Sequence, residues 1–290
     1  MEEWVFLNGS LVPKEDAKIS VDDRGLLLGD GVFETMRSYG GKVFRFDKHL
    51  KRLFDALAVI HLSITYQPDE LKDALYDTLK ANQLQNASIR LTVTRGQGGR
   101  GINIPENPSP TVIITAREFI PYPERFYHEG MKTVVSEIRQ NLSSPVPGIK
   151  TLNFLNNILA RIEAREKGLD EAILLNTDGF VCEGTVSNIF LVKKGTIITP
   201  DRESGILPGV TREVIIELAL REGIRIEEKK VKPSELKEAD ECFLTNTLME
   251  IMPVSEIDKR KVGKGKPGPL TLHLMEWYED LVRKEVKIGS

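Results

Sequence analysis

The sequence predicts an α+β chain in two domains. Stretches alternating apolar and polar residues recur in both halves, amphipathic stretches of helical spacing lie between them, and Pro121-Tyr122-Pro123-Glu124 interrupts regular structure near the middle. At 290 residues, each half is long enough to bury a core of its own without a disulfide or a metal. The division expected is a first domain over 1–117, a linker over 118–125 and a second domain over 126–290.

The first domain opens with a strand, Trp4-Val5-Phe6-Leu7, turning at Asn8-Gly9, and Lys42-Val43-Phe44-Arg45-Phe46 alternates in the same way. From Asp47, a suitable N-cap, Leu50, Leu53, Phe54, Leu57 and Ile60 recur at helical spacing, and 69–84 repeats the pattern with Leu71, Leu75 and Leu79. Strands over 88–94 and 111–116 complete this half. Beyond the linker, a strand over 131–137 leads to a helix over 152–167 with Leu155, Ile158, Leu159 and Ile162 on one side and Gly168 at its end. Strands at 172–176 and 186–192 flank the Thr177-Asp178-Gly179 turn, and Ile197-Ile198-Thr199 follows. A helix over 209–221, strands over 224–231 and 241–245, a short helix from Ser234 and a closing helix over 270–286 finish the chain, with 259–269 an exposed loop.

Composition narrows the function. With 40% hydrophobic and 29% charged residues and a formal net charge of -3, nothing favours nucleic acid or an anionic membrane as partner. No apolar run approaches a transmembrane length, and Met1-Glu2-Glu3-Trp4 is acidic where a signal peptide is basic, so a cytoplasmic location is expected. Cys182 and Cys242 lie far apart, and His49, His61, His128 and His273 lack paired spacing; neither a metal centre nor a Ser/His/Asp arrangement is expected.

Three stretches could carry chemistry. Lys150, in Pro147-Gly148-Ile149-Lys150-Thr151-Leu152-Asn153, would ordinarily be a solvated surface lysine, but it stands where irregular chain meets an apolar helix. A desolvated pocket there would free its amine to act as a nucleophile or Schiff base. Glu183, heading Glu183-Gly184-Thr185-Val186-Ser187-Asn188, would alone be a charge at a strand end; before small residues it could hold a pyridinium. Gly205-Ile206-Leu207-Pro208-Gly209-Val210-Thr211-Arg212 opens a helix whose free amides suit a phosphate, without the pattern of a nucleotide-triphosphate loop. Arg52 lies off the apolar stripe of its helix, where the plain reading is a solvated face.

These pieces, with Asp23-Arg24-Gly25, Gly29-Asp30-Gly31-Val32-Phe33-Glu34-Thr35, His49-Leu50-x-Arg52-Leu53 and Thr245-Asn246-Thr247-Leu248-Met249-Glu250-Ile251, make nearly the whole chain resemble the class IV aminotransferases. That group holds branched-chain aminotransferases, D-amino-acid aminotransferases and 4-amino-4-deoxychorismate lyase. The resemblance implies a small N-terminal α/β domain, a larger C-terminal pseudo-barrel domain, a pyridoxal 5′-phosphate (PLP) site between them, and a homodimer. It implies that Lys150 carries the cofactor as a Schiff base and moves the proton between Cα and C4′, and that Glu183 keeps the pyridine nitrogen protonated. Arg52, Val210, Thr211 and Thr247 match phosphate-binding positions, and Leu207 matches one that packs on the ring. Phe154 departs from many branched-chain enzymes, which place a tyrosine there; it offers the cofactor no donor.

The substrate signals are mixed. Arg90 matches an arginine that branched-chain enzymes use near a substrate carboxylate, but Ser88 replaces their tyrosine; Arg100 matches a carboxylate-binding arginine of the D-amino-acid branch, but Ile102 replaces its histidine. Asn246-Thr247-Leu248-Met249 is closer to the lyase branch. The expected reaction is amino transfer between a hydrophobic amino acid and a 2-oxo acid such as 2-oxoglutarate, with Phe33, Phe154 and Leu248 as apolar lining and Arg37, Arg90 and Arg100 as cations for carboxylates. The alternatives are the lyase, D-amino-acid transamination, and a silent protein that only binds PLP.

Overall fold

The computed structural model describes residues 3–286, which fall into two units. The first holds the chain up to Ile120, the segment Ile149–Asn153 and the end of the last helix from Glu285; the second holds Pro121–Gly148 and Phe154–Lys284. The cut falls between Ile120 and Pro121. The segment bearing Lys150 belongs to the first unit, although its position in sequence placed it in a domain over 126–290. The reason is backbone pairing, described below.

In the first unit, β1 (Trp4–Leu7), β2 (Ser10–Pro13), α1 (Arg24–Leu28), β3 (Gly31–Tyr39), β4 (Lys42–Val43), α2 (Phe46–Val59), α3 (Pro68–Ala81), β5 (Ala87–Gln97) and β6 (Ser109–Glu118) follow in order. The sheet runs β2-β1-β6-β5-β3-β4, antiparallel throughout. Strand alternation sends Val32, Met36, Ile89, Leu91, Val93 and Ile114 to one face, where they pack with Leu50, Leu53, Leu71 and Leu75 of α2 and α3. Asp47 does not cap α2. The cap is Arg45, in the left-handed region at φ 53°, and Asp47 sits in the first turn instead, where its charge suits the helix end. Segment Ile149–Asn153 lies along β3: the Phe33 N–H donates to the Lys150 carbonyl at 2.9 Å and the Leu152 N–H to the Gly31 carbonyl at 3.0 Å. These bonds draw Lys150 onto the first sheet.

The second unit contains α4 (Glu124–Glu129), β7 (Met131–Gln140), α5 (Leu155–Glu166), β8 (Glu171–Asn176), β9 (Val181–Gly184), β10 (Asn188–Lys193), β11 (Thr196–Pro200), α6 (Val210–Arg221), β12 (Ile226–Lys229), α7 (Pro233–Lys237), β13 (Glu241–Asn246), β14 (Glu250–Ile257), β15 (Arg260–Lys261) and α8 (Pro269–Val286). Strands β10-β13-β14-β7-β8-β9 form a run that closes on itself, because Glu183 of β9 also pairs with Asn188 of β10. This closed ring of six is the pseudo-barrel. β11 and β12 extend from β10, and β15 hangs on β14. Met131, Ile173, Val181, Ile189, Leu191, Leu244 and Met252 belong to its apolar core. Within the loop expected at 259–269, Arg260 and Lys261 form β15.

Helix α5 starts at Leu155, later than its pattern suggested, because 149–153 is committed to β3. Ala160 and Ala164 pack on Val134, Ala172 and Leu174 of β7 and β8, the small side chains allowing close approach. Leu155, Ile158, Leu159 and Ile162 face outward, Leu155 being 67% exposed and Ile158 51%.

Candidate active site

In the first unit, Lys150 is half-buried and its Nζ lies 4.4 Å from the centre of the Phe33 ring. The Arg90 guanidinium lies 3.7 Å from the same ring, and its Nε–H donates to Thr92 Oγ1 at 3.2 Å. Pairing of β3 with β5 produces this arrangement: Phe33 is opposite Thr92 and Thr35 opposite Arg90, so Arg90 reaches Phe33 diagonally across the ladder. Lys150, Phe33 and Arg90 are therefore brought together. Arg37, further along the same face of β3, rests instead on Tyr39 and Phe119, at 4.3 and 3.6 Å. Arg100 is exposed in a loop that Arg24 organises: Arg24 Nη1 donates to the carbonyls of Gly98, Gly101 and Asn103.

Arg52 is not on a solvated face. Its side chain is mostly buried, and Nε–H and Nη2–H donate to the two oxygens of Glu34, each at 2.7 Å. His49 lies within 2.8 Å of Glu34 Oε2 through Nδ1. Glu34 and His49 are each 1% exposed. Burial alone would raise the Glu34 carboxyl, but the Arg52 charge and hydrogen bonds from His49 and Arg52 hold it at about 2 instead of 4.5. Burial lowers His49 below its ordinary value despite the Glu34 hydrogen bond, with the Arg52 and Lys150 charges adding to the fall. Since ionised Glu34 can only accept, His49 is the neutral tautomer that donates from Nδ1.

Sequence reasoning gives Glu34 and His49 a place in motifs but no role. The signal is there: Glu34 has the strand parity of Val32 and Met36, and a carboxylate carried into a core needs a partner. His49 and Arg52 stand three apart on α2, on one helix face, where such a partner would come from.

In the second unit, Glu183 is buried at the end of β9. Its Oε2 accepts the Leu207 N–H at 3.0 Å and lies 3.4 Å from Asn188 Nδ2, which also donates to the Leu207 carbonyl at 2.8 Å. Asn188 thereby ties the carboxylate to the turn before α6. At that turn Gly209 is the N-cap of α6, and no side chain of the cap residue hydrogen-bonds to the helix start. A methyl group on Gly209 would overlap Asn188 Oδ1. An uncapped start of a twelve-residue helix, with Val210 and Thr211 as its first residues, suits a phosphate monoester.

Thr247 lies in the turn between β13 and β14. Asn246 shapes it: Oδ1 accepts the amides of Leu248 and Met249, each at 2.8 Å, and Nδ2 donates to the Val186 carbonyl at 3.0 Å. The Thr247 turn is thus fastened to the segment leading into Asn188. Ser187 Oγ and Thr245 Oγ1, flanking this fastening, are buried without a hydrogen-bond partner among the described residues. Leu248 and Phe154 are half-buried, Phe154 as the N-cap of α5. Cys182 and Cys242 are buried free thiols whose pKa values burial pushes up, which makes them poor nucleophiles.

Comparison with known proteins agrees with this chemistry. The family model described as amino-transferase class IV matches residues 31–257. A Methanocaldococcus jannaschii protein provisionally named a branched-chain-amino-acid aminotransferase is 42% identical over 284 residues, 97% of this chain and 96% of that one. A D-alanine aminotransferase of Listeria monocytogenes is 37% identical over 282 residues, 96% of either chain. Among solved structures, the branched-chain amino acid aminotransferase of Thermobaculum terrenum in its PLP form superimposes with a TM-score of 0.88 at 32% identity, covering 97% of this chain and 94% of that one.

Proposed function

Because the chain belongs to the class IV aminotransferases, a family of PLP-dependent enzymes, we propose that it moves the amino group of a hydrophobic or branched-chain amino acid to a 2-oxo acid such as 2-oxoglutarate. The observation that carries this choice is the Phe33 ring shared by the Lys150 amine and the Arg90 guanidinium. It offers an apolar surface for a side chain beside the reacting amine, and a cation for a second carboxylate.

When bound, PLP supplies an electron sink that stabilises negative charge developing at the substrate Cα. In the first unit, Lys150 would hold it covalently and, once displaced by the substrate amine, would serve as the base and acid for the Cα proton, and Arg52 would be a ligand of its phosphate. In the second unit, Glu183 holds the proton on the pyridine nitrogen, Leu207 packs on the ring, and Val210, Thr211 and Thr247 hold the phosphate. The fixed orientation of Glu183 and the uncapped start of α6 support these roles. Phe33, Phe154 and Leu248 are proposed as apolar contacts of the substrate, and Arg37, Arg90 and Arg100 as cations for its carboxylates.

A homodimer belongs to the same reading. Leu155, Ile158, Leu159 and Ile162 recur at the i, i+3, i+4, i+7 spacing of one helix face and are left in solvent, an apolar stripe that a second copy would cover. A cytoplasmic location is proposed with it, in keeping with two free thiols.

The test is to supply the PLP-loaded protein separately with L-leucine plus 2-oxoglutarate, D-alanine plus 2-oxoglutarate, and aminodeoxychorismate. The expected products are 4-methyl-2-oxopentanoate and glutamate from the first mixture. Turnover confined to D-alanine, or pyruvate release from aminodeoxychorismate without amino transfer, would replace the proposed substrate.

A further inference from the structure

Strand β3 carries Glu34 at the parity of Val32 and Met36, so its carboxylate enters the apolar side of the sheet. A carboxylate buried there survives only if donors replace water. Three arrive from α2: Nε–H and Nη2–H of Arg52, one to each oxygen, and Nδ1–H of His49 to Oε2. Both ends of the carboxylate are therefore held, and the Arg52 guanidinium is gripped side-on by a planar fork.

We infer that Glu34 is a positioning residue that sets the angle at which the opposite edge of the Arg52 guanidinium meets a phosphate monoester, with His49 preventing the carboxylate from turning. The inference rests on the proposed role of Arg52 toward PLP. Covalent geometry gives it content: in a side-on fork, Nε and Nη2 face the carboxylate and the edge bearing Nη1 faces away.

Charge and geometry make opposite demands here. Glu34 is a negative group beside a residue meant to attract an anion, so its removal should strengthen phosphate binding if charge alone matters. If the fork is what matters, removal takes away the pair of bonds that sets the guanidinium's angle and phosphate binding weakens. His49 is neutral and adds no cation to replace the lost order.

The test titrates apoprotein with PLP and with pyridoxal, which lacks the phosphate, following uptake by visible absorbance and by fluorescence quenching. Glu34→Gln is expected to weaken PLP by about tenfold or more while pyridoxal affinity stays unchanged. Arg52→Lys keeps the charge but cannot form the fork, and is expected to lower the PLP-to-pyridoxal preference equally. The double variant is expected to be no worse than either single one. PLP binding that is unchanged or tighter in Glu34→Gln overturns the inference, as does equal loss of both ligands. If Glu34→Gln does not fold, the preference measured in Arg52→Lys decides: preserved preference overturns the inference, collapsed preference supports it. A wild-type protein that takes up neither ligand overturns the cofactor reading itself.

Discussion

Acid should unfold this protein partly through Glu34, and the size of that effect follows from its surroundings. The Glu34 pKa falls from 4.5 to about 2 on folding, because Arg52 and His49 outweigh the cost of burial. A group lowered in the folded state contributes stability above its unfolded value and loses it as pH falls through the folded one. For Glu34 that window runs from 4.5 down to about 2. At about 1.4 kcal/mol per pH unit the full contribution is roughly 3 kcal/mol. The same magnitude is expected for Glu34→Gln near neutral pH, which takes the Glu34 charge away from a largely buried guanidinium; breaking such a pair costs about 3 kcal/mol or somewhat more. His49 must be separated from this effect. Its folded pKa lies below 6.5, so the unfolded chain takes up the proton first and stability already declines beneath that pH. Urea unfolding of apo wild type and Glu34→Gln, from neutral pH down to about 3, removes most of the shared His49 contribution by difference. The gap between the two proteins should be largest above pH 4.5 and shrink steadily below it. Parallel curves across that range would refute the assignment of Glu34 as an ionised, paired core carboxylate.

Further outcomes follow from other sites. Lys150→Ala should abolish transamination and the reducible covalent link to PLP, measured by borohydride reduction and mass spectrometry, while retaining some non-covalent uptake. Gly209→Ala should push Asn188 away from Leu207 and disturb the start of α6. A cost of about 1–3 kcal/mol in thermal or urea unfolding, together with weaker PLP binding, is expected from the displaced buried amide. Replacing Ile158 and Leu159 by glutamate on the outward face of α5 should leave the monomer fold intact by circular dichroism and lower the molar mass seen by light scattering to that of one chain.

Much of the secondary structure was legible because alternation and helical spacing are local properties. α2, α6 and α8 lie close to their helical patterns, but β2, β3, β9 and β14 were not expected as strands, and of the strand expected at 42–46 only Lys42–Val43 forms one. α1 and α4 were missed because five or six residues are too short to display a periodicity. Arg52 shows a different limit. Lying off the apolar stripe suggested solvent, yet a buried carboxylate on another element drew its guanidinium inward. Nothing within α2 announces that partner.

The sequence by itself carried the class of chemistry through its ordered motifs, which resemble the class IV aminotransferases over nearly the whole chain; Lys150, Glu183 and the glycine-led helix start each read alone as an ordinary surface lysine, strand-end charge and helix start. Tertiary structure alone decided that Lys150 joins the first sheet, that Glu183 closes the six-strand ring opposite Asn188, that Glu34 and His49 lock Arg52, and that α5 turns its large apolar side chains outward. Periodicity reports that a face is apolar or a charge misplaced. What meets that face or charge is set by strands and helices distant in sequence, and only packing brings them into contact.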